Sequence, residues 1–199
     1  MNMTDEEAVM DRTDRDLDLA VELINTHWVL ASPPDRLTDV GVYQRILRDA
    51  GEKALARELT DTDLGALRAL REQLRPVFAA QTTEAAAAIV DKMLRDAVLP
   101  ARLAADAGAA RWDWGAGQHG IAALRARLLS ALATNLIHHG TDRIGVCQAS
   151  PCDCVYVDRS RARTRRYCCD QCNDRAAAAA YRRRHALRGA RTTTTAAAD

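Results

Sequence analysis

The residues of this chain best suited to chemistry are its six cysteines, Cys147, Cys152, Cys154, Cys168, Cys169 and Cys172. They form two clusters, C-x4-C-x-C and C-C-x2-C, and no other cysteine occurs in the 199 residues. Thiolate pairs presented on tight turns are the soft ligand set of a structural, tetrahedral zinc ion. Cys147 and Cys152 make one pair, with Ser150-Pro151 supplying the turn. Cys168 and Cys172 make the other, with Cys172 at the start of a predicted helix whose N-terminus favours a thiolate. Cys154 and Cys169 are left over, and either could exchange into the set. One structural zinc ion is therefore expected. Such clustering, behind an acidic N-terminus without a hydrophobic export signal, favours metal in a cytoplasmic protein over disulfides.

The segment between the clusters, VYVDRSRARTRRY, reads as strand-turn-strand, and NDRAAAAAYRRRHALR after them reads as a helix. Alternation would put Arg161, Arg163 and Arg165 on one strand face. With Arg159, Arg166, Arg175, Arg182 and Arg183 they are the candidate nucleic-acid contacts. Five alanines, Ala176 to Ala180, leave the helix slim enough to approach a phosphate backbone or enter a major groove. Residues 143–191 hold 12 arginines against four aspartates, a formal +8, whereas residues 1–142 are formally −6. An acidic body with a basic tip suits a protein with one polyanion-facing end. A basic module docked on the acidic body would show the same polarity. Arginine supplies 26 of the 28 basic residues, which with the alanine content points to a GC-rich coding genome, so arginine excess alone is no sign of nucleic-acid chemistry.

The body must position this tip, and its pattern is helical. Residues 1–16 read as a frayed, disordered start, followed by a helix in LDLAVELINTHWV and a break at Ser32-Pro33-Pro34-Asp35. Helices are predicted over about 38–50, from the Thr60-Asp61-Thr62-Asp63 cap through Leu64, Leu67, Leu70, Leu74 and Phe78, and from Thr83. Arg68, Arg71 and Arg75 form a stripe beside those leucines, and Pro76 should kink or end that helix. VLPARLAADAGAARWDWG reads as a β-hairpin turning at Asp106-Ala107-Gly108, with Trp112 and Trp114 on one face. A strong helix then carries Ile121, Leu124, Leu128, Leu132 and Leu136 to a stop at Gly140. Residues 189–199 read as a disordered tail. The expected class is mainly α: a helical domain with a small hairpin over 17–140, then a zinc-stapled hairpin plus helix over 141–188.

The stretch RIGVCQASPCDCVYVDRSRARTRRYCCDQCNDRAAAAAYRRR resembles the CGNR zinc finger. Asp158 matches that family's strand-end Asp, and Arg165-Arg166-Tyr167-Cys168 its R-R-aromatic-Cys step. Cys172, Asn173, Asp174 and Arg175 stand where the four residues of the family name would stand, with Asn173 for Gly and Asp174 for Asn. The second knuckle is one residue shorter than the commonest form. The upstream body is similar to the ABATE domain, through Leu23-Ile24-Asn25-Thr26, the helix around Leu67–Arg71, the tryptophan hairpin and the long helix before the finger. Together the resemblance covers about residues 17–187. It implies a bacterial, stress-related transcription regulator.

Three function classes compete. A DNA-binding regulator would use the zinc module on DNA, with RNA as the other polyanion, while the body senses a signal or forms a homodimer. A small-molecule ligand of the body would draw on Asn25, His27, Trp28 and Arg71. A protein-interaction or scaffold protein with structural zinc is the alternative. An enzyme is not expected: a four-thiolate site leaves no open coordination position, and there is no phosphate loop, H-E-x-x-H or nucleophile elbow. His138-His139 reads as a helix C-terminal feature. No apolar run is read as approaching the length of a membrane span.

Overall fold

In the computed structural model, backbone is described for residues 5–97, 99–106 and 109–195, and side chains for 12–97, 99–105 and 112–185. The protein is mainly helical. In chain order the elements are α1 (Asp5–Ile24), α2 (Val40–Asp49), α3 (Lys53–Glu58), α4 (Leu64–Ala79), α5 (Thr83–Ala97), β1 (Ala101–Asp106), β2 (Ala109–Trp114), α6 (Gly120–His139), β3 (Ile144–Val146), β4 (Val155–Val157) and α7 (Asp170–Thr195).

The sequence places the caps well. Asp39 accepts from the Val42 N–H at 3.2 Å at the start of α2, and the Thr60 N–H donates to Asp63 at 2.7 Å ahead of α4. In α4, Leu67, Leu70, Leu74, Val77 and Phe78 are buried, and the helix continues through Pro76 to Ala79 rather than ending there. Gly140 stops α6 at φ +58, and a Cβ there would meet Thr83 Oγ1. Contrary to the expectation that no apolar run approaches span length, α6 is long and apolar enough to cross a membrane. It is instead the central core helix, packed on α1, α3, α4 and α5.

Two termini depart from expectation. The segment read as a frayed start is helical from Asp5, and Asp16 is buried within that helix. The buried face beginning at Asp16 and Leu17 anchors it. At the other end α7 runs to Thr195, into the segment read as tail; residues 196–199 lie outside the described residues, as do residues 1–4. Alanine and arginine are good helix formers, and Gly189 alone is insufficient to stop such a run.

Polar groups inside the body are matched. Arg71, 4% exposed, clamps Asp35 through two bonds of 2.8 and 3.1 Å and donates to Thr26 Oγ1 at 3.2 Å. This pairing holds the Asp35 carboxyl down at about 2, against the opposing effect of burial. Arg127 on α6 reaches Asp16 on α1 at 3.1 Å and Glu52 before α3 at 2.7 Å. The arginine stripe on α4 is bonded within the fold at three depths: exposed Arg68 donates to the Leu37 carbonyl at 2.8 Å, buried Arg71 to Asp35, and half-buried Arg75 reaches the finger.

The hairpin β1–β2 is antiparallel, with Leu103 opposite Trp112 and Ala101 opposite Trp114; the predicted turn at 107–108 lies outside the described residues. The second strand pair differs from expectation. β4 pairs antiparallel with β3, upstream of the first knuckle, rather than with the arginine segment downstream. Residues 158–169 form loop and turns. Ile144 and Val146 bury better than RTRRY could, and Ile144, Val155 and Val157 join the same core as the helices. The finger thus shares its hydrophobic base with the body.

Candidate metal centre

The first knuckle leaves β3 at Cys147, whose N–H donates to the Cys154 carbonyl at 2.8 Å; Cys152 closes the turn on the Ala149 carbonyl at 2.8 Å. The second forms as α7 begins. The N–H groups of Cys172 and Asn173 both donate to the Cys169 carbonyl, at 3.2 and 3.1 Å, so Asn173 is compatible with the helix start. These two turns bring Cys147, Cys152, Cys168 and Cys172 together, with all four sulfurs within 4.8 Å of one another. The Cys152–Cys168 and Cys168–Cys172 separations are 3.8 and 3.7 Å. A tetrahedron with zinc–sulfur bonds of about 2.3 Å has edges of about 3.8 Å. The donor set therefore fits one structural zinc ion. Cys154 and Cys169 fall outside this group of four.

The electrostatics of the cluster point the same way. Burial pushes the Cys172 thiol up to about 12, and burial with the neighbouring thiols pushes Cys168 higher still. Cys154 is likewise pushed up to about 12, by burial and by Cys152. Cys152 alone among the buried thiols moves down: burial opposes this, but hydrogen bonds from the Cys154 backbone and surrounding thiols outweigh it. Four thiolates at contact, three of them buried, repel one another, and a divalent cation removes that repulsion.

Around the metal site the arginines divide into two classes. Arg165 is structural. Its guanidinium donates to the carbonyls of Tyr167 at 3.0 Å, Val157 at 3.2 Å and Cys168, and lies 5.4 Å over the Tyr156 ring. The Tyr156 hydroxyl in turn donates to the Arg165 carbonyl at 2.7 Å, and Gly145 leaves the room: a Cβ there would lie 2.8 Å from that hydroxyl. Arg159 pairs with Asp18 at 2.8 Å, Arg163 with Asp142 at 3.3 Å, and Arg166 with Gln148 at 2.8 Å. Arg175 donates to Cys172 Sγ at 3.9 Å. The expected common strand face of Arg161, Arg163 and Arg165 does not form, because their segment is a loop. Among the described residues, Arg161 and the helix residues Arg182, Arg183 and Arg184 make no hydrogen bond or ion pair.

Asp158, 2% exposed, organises that loop. One carboxylate oxygen accepts from the Ser160 N–H and the other from the Arg165 N–H, both at 2.8 Å. Burial opposes its charge, yet these bonds hold the carboxyl below its ordinary value.

The finger is also fastened to the body. Asn25, at the end of α1, accepts from the Val155 N–H at 2.9 Å and donates to its carbonyl at 3.0 Å, as a strand neighbour would. Arg75 donates to the Asp153 carbonyl at 2.8 Å, inside the first knuckle, and Trp28 packs on the cysteine cluster. Asp153 escaped the sequence reading; an arginine stripe flanking a buried leucine stripe was the signal that it needed an acceptor. Asn25 holds the Val155 backbone, Arg71 holds Asp35, the backbones of His27 and Asp35 form an isolated antiparallel β-bridge, and Arg36 lies 5.9 Å over the Trp28 ring. His138 and His139 instead line a shallow cleft with Thr13, Asp14 and Leu17.

The ABATE family model, described as "putative stress-induced transcription regulator", matches residues 17–143. The chain belongs to the ABATE family. A CGNR zinc-finger model matches residues 143–185, so this ABATE protein carries a CGNR zinc finger directly after its body. Both are regulator and zinc-finger types rather than enzyme families. Among curated proteins none matches the chain. In this ABATE protein the departures from the finger's naming residues fall at Asn173 and Asp174, outside the four clustered thiols.

Proposed function

We propose that this ABATE protein is a zinc-dependent, DNA-binding transcription regulator. Cys147, Cys152, Cys168 and Cys172 hold the ion, the ion holds loop 158–169 and α7, and those two elements meet the phosphate backbone. One observation carries the reading: Tyr181 to His185 are all exposed on α7, and the three arginines among them make no hydrogen bond or ion pair among the described residues. A polar helix exposed all round gains nothing from packing, and a nucleic-acid groove gives it a counterpart. A duplex DNA major groove, about 12 Å wide, admits such a helix, whereas the deep, narrow groove of A-form RNA does not. Arg161, Arg182 and Arg183 make the phosphate contacts. Arg159, Arg163, Arg165, Arg166 and Arg175 shape the surface from which they reach. The protein works in the cytoplasm, at the nucleoid when bound. The competing reading, a scaffold with structural zinc, draws support from the exposed Leu103, Trp112 and Trp114 of the β1–β2 hairpin.

Binding of the zinc-loaded protein to random-sequence duplex tests this. Between about 50 and 200 mM salt, affinity should fall with a log–log slope of about −0.9 per phosphate contacted. Changing Arg161, Arg182 and Arg183 together to Ala should flatten that slope by about 2.7 while zinc stays bound. A flat response, or no binding at low salt, supports the scaffold reading instead.

A further inference from the structure

The arginine loop 158–169 is tied to the acidic body through its side chains. Arg159 pairs with Asp18 of α1 at 2.8 Å, lies 3.7 Å from the Asp14 carboxylate and donates to the Asp14 carbonyl at 2.9 Å. Arg163 pairs with Asp142, between α6 and β3, at 3.3 Å. It does so from a left-handed backbone at φ +52, the one positive φ of a non-glycine residue among those described. That conformation suits glycine or asparagine, so the loop holds Arg163 against its backbone preference with its guanidinium on Asp142. The paired side chains are 42–66% exposed. Exposed ion pairs add little to stability and are screened by salt, so these bonds are open to exchange. A phosphate offers a guanidinium the same planar, two-oxygen partner as a carboxylate.

We propose that Asp14, Asp18 and Asp142 are built-in competitors of the nucleic acid. They occupy Arg159 and Arg163 and repel phosphates from the same stretch of loop, so the body restrains its own finger. This restraint presupposes the DNA-binding reading and deepens it. Residues 1–142 are formally −6 and residues 143–191 +8, and the opposite charges meet where the arginine loop lies against α1 and Asp142. Arg161, exposed and without a hydrogen bond or ion pair among the described residues, is free to engage a phosphate first. It is two residues from Arg159 and two from Arg163, at most about 7 Å along the chain. A phosphate on Arg161 therefore comes within about a Debye length, roughly 10 Å at 0.1 M salt, of the competing carboxylates. Its neighbours on the strand are either repelled there or take Arg159 and Arg163 from their partners. At rest the finger offers Arg161, Arg182 and Arg183; with the three carboxylates neutralised it offers Arg159 and Arg163 as well.

Binding of the full zinc-loaded chain to random-sequence duplex, followed from about 50 to 200 mM salt, reads this out. Asp14→Asn, Asp18→Asn and Asp142→Asn together should raise affinity at about 100 mM salt roughly tenfold or more. They should also steepen the log–log slope by about 1.8, at about 0.9 for each arginine released. Asp49→Asn, Asp91→Asn and Asp96→Asn are the control for net charge. They make the same change at exposed positions on α2 and α5, where Asp91 and Asp96 hold Arg95 and Lys92, and should raise affinity by less than about threefold. Adding Arg159→Ala and Arg163→Ala to the first variant should abolish its gain, whereas the same two changes in the native chain should alter the slope by less than about 0.5. A native chain that binds no duplex at low salt removes the regulator reading and the restraint with it. A native chain that binds, with its first variant no tighter than the control, overturns the restraint alone. So does a gain that survives the loss of Arg159 and Arg163.

Discussion

Replacing Cys172 with Ser should reduce bound zinc from one ion per chain to well below one. Cys172 is 2% exposed, lies 3.7 Å from Cys168 Sγ, and sits in the first turn of α7, where the helix dipole favours its thiolate. Structural zinc sites in small modules contribute roughly 10–16 kcal/mol to folding, so losing one of four ligands removes most of what orders this region. The loss should be local. β3 and β4 are buried in the body core and tied by Asn25, so they should persist, while loop 158–169 and α7 lose protection from hydrogen exchange. Cys169→Ser and Cys154→Ser are the controls, because both residues lie outside the group of four. Each should keep its zinc. If Cys154→Ser loses the ion and Cys172→Ser keeps it, the ligand set is wrong.

Arg127→Ala should be the most damaging single change in the body. Arg127 joins α6 to α1 and to the turn before α3, and its partner Asp16 is 5% exposed. Truncation strands a buried carboxylate, a defect that typically costs about 3–5 kcal/mol. For a chain of this size that corresponds to a Tm lower by roughly 6–20 °C. The double change Asp16→Leu, Arg127→Met removes both charges at similar volume and should recover most of the loss. Thermal unfolding of the three proteins distinguishes this from a merely steric role, in which the double variant would be no better than the single one.

The body was largely legible because its signals are local. Caps at Asp39 and Thr60, leucines at helical spacing in α4 and α6, and the stop at Gly140 each act within a turn or two of chain. The cysteine cluster was legible for a related reason: ligand spacing on tight turns is itself short-range. What escaped was long-range. Nothing near VYV says that it pairs with Ile144–Val146 across the knuckle rather than with the arginine segment, since that choice depends on which strand the core can bury. Arginine roles were invisible for the same reason. Arg165 and Arg182 look alike in sequence, yet one ties the carbonyls of Val157, Tyr167 and Cys168 together and the other makes no hydrogen bond or ion pair among the described residues. The helical start at Asp5 was missed because its key partner, Arg127, lies 111 residues away from Asp16.

The thiolate cage on which the basic tip depends is tested most directly by zinc K-edge X-ray absorption on the purified full chain. Four sulfur neighbours at about 2.3 Å, and no nitrogen or oxygen neighbour, are expected. A first shell with fewer than four sulfurs would contradict a closed structural site.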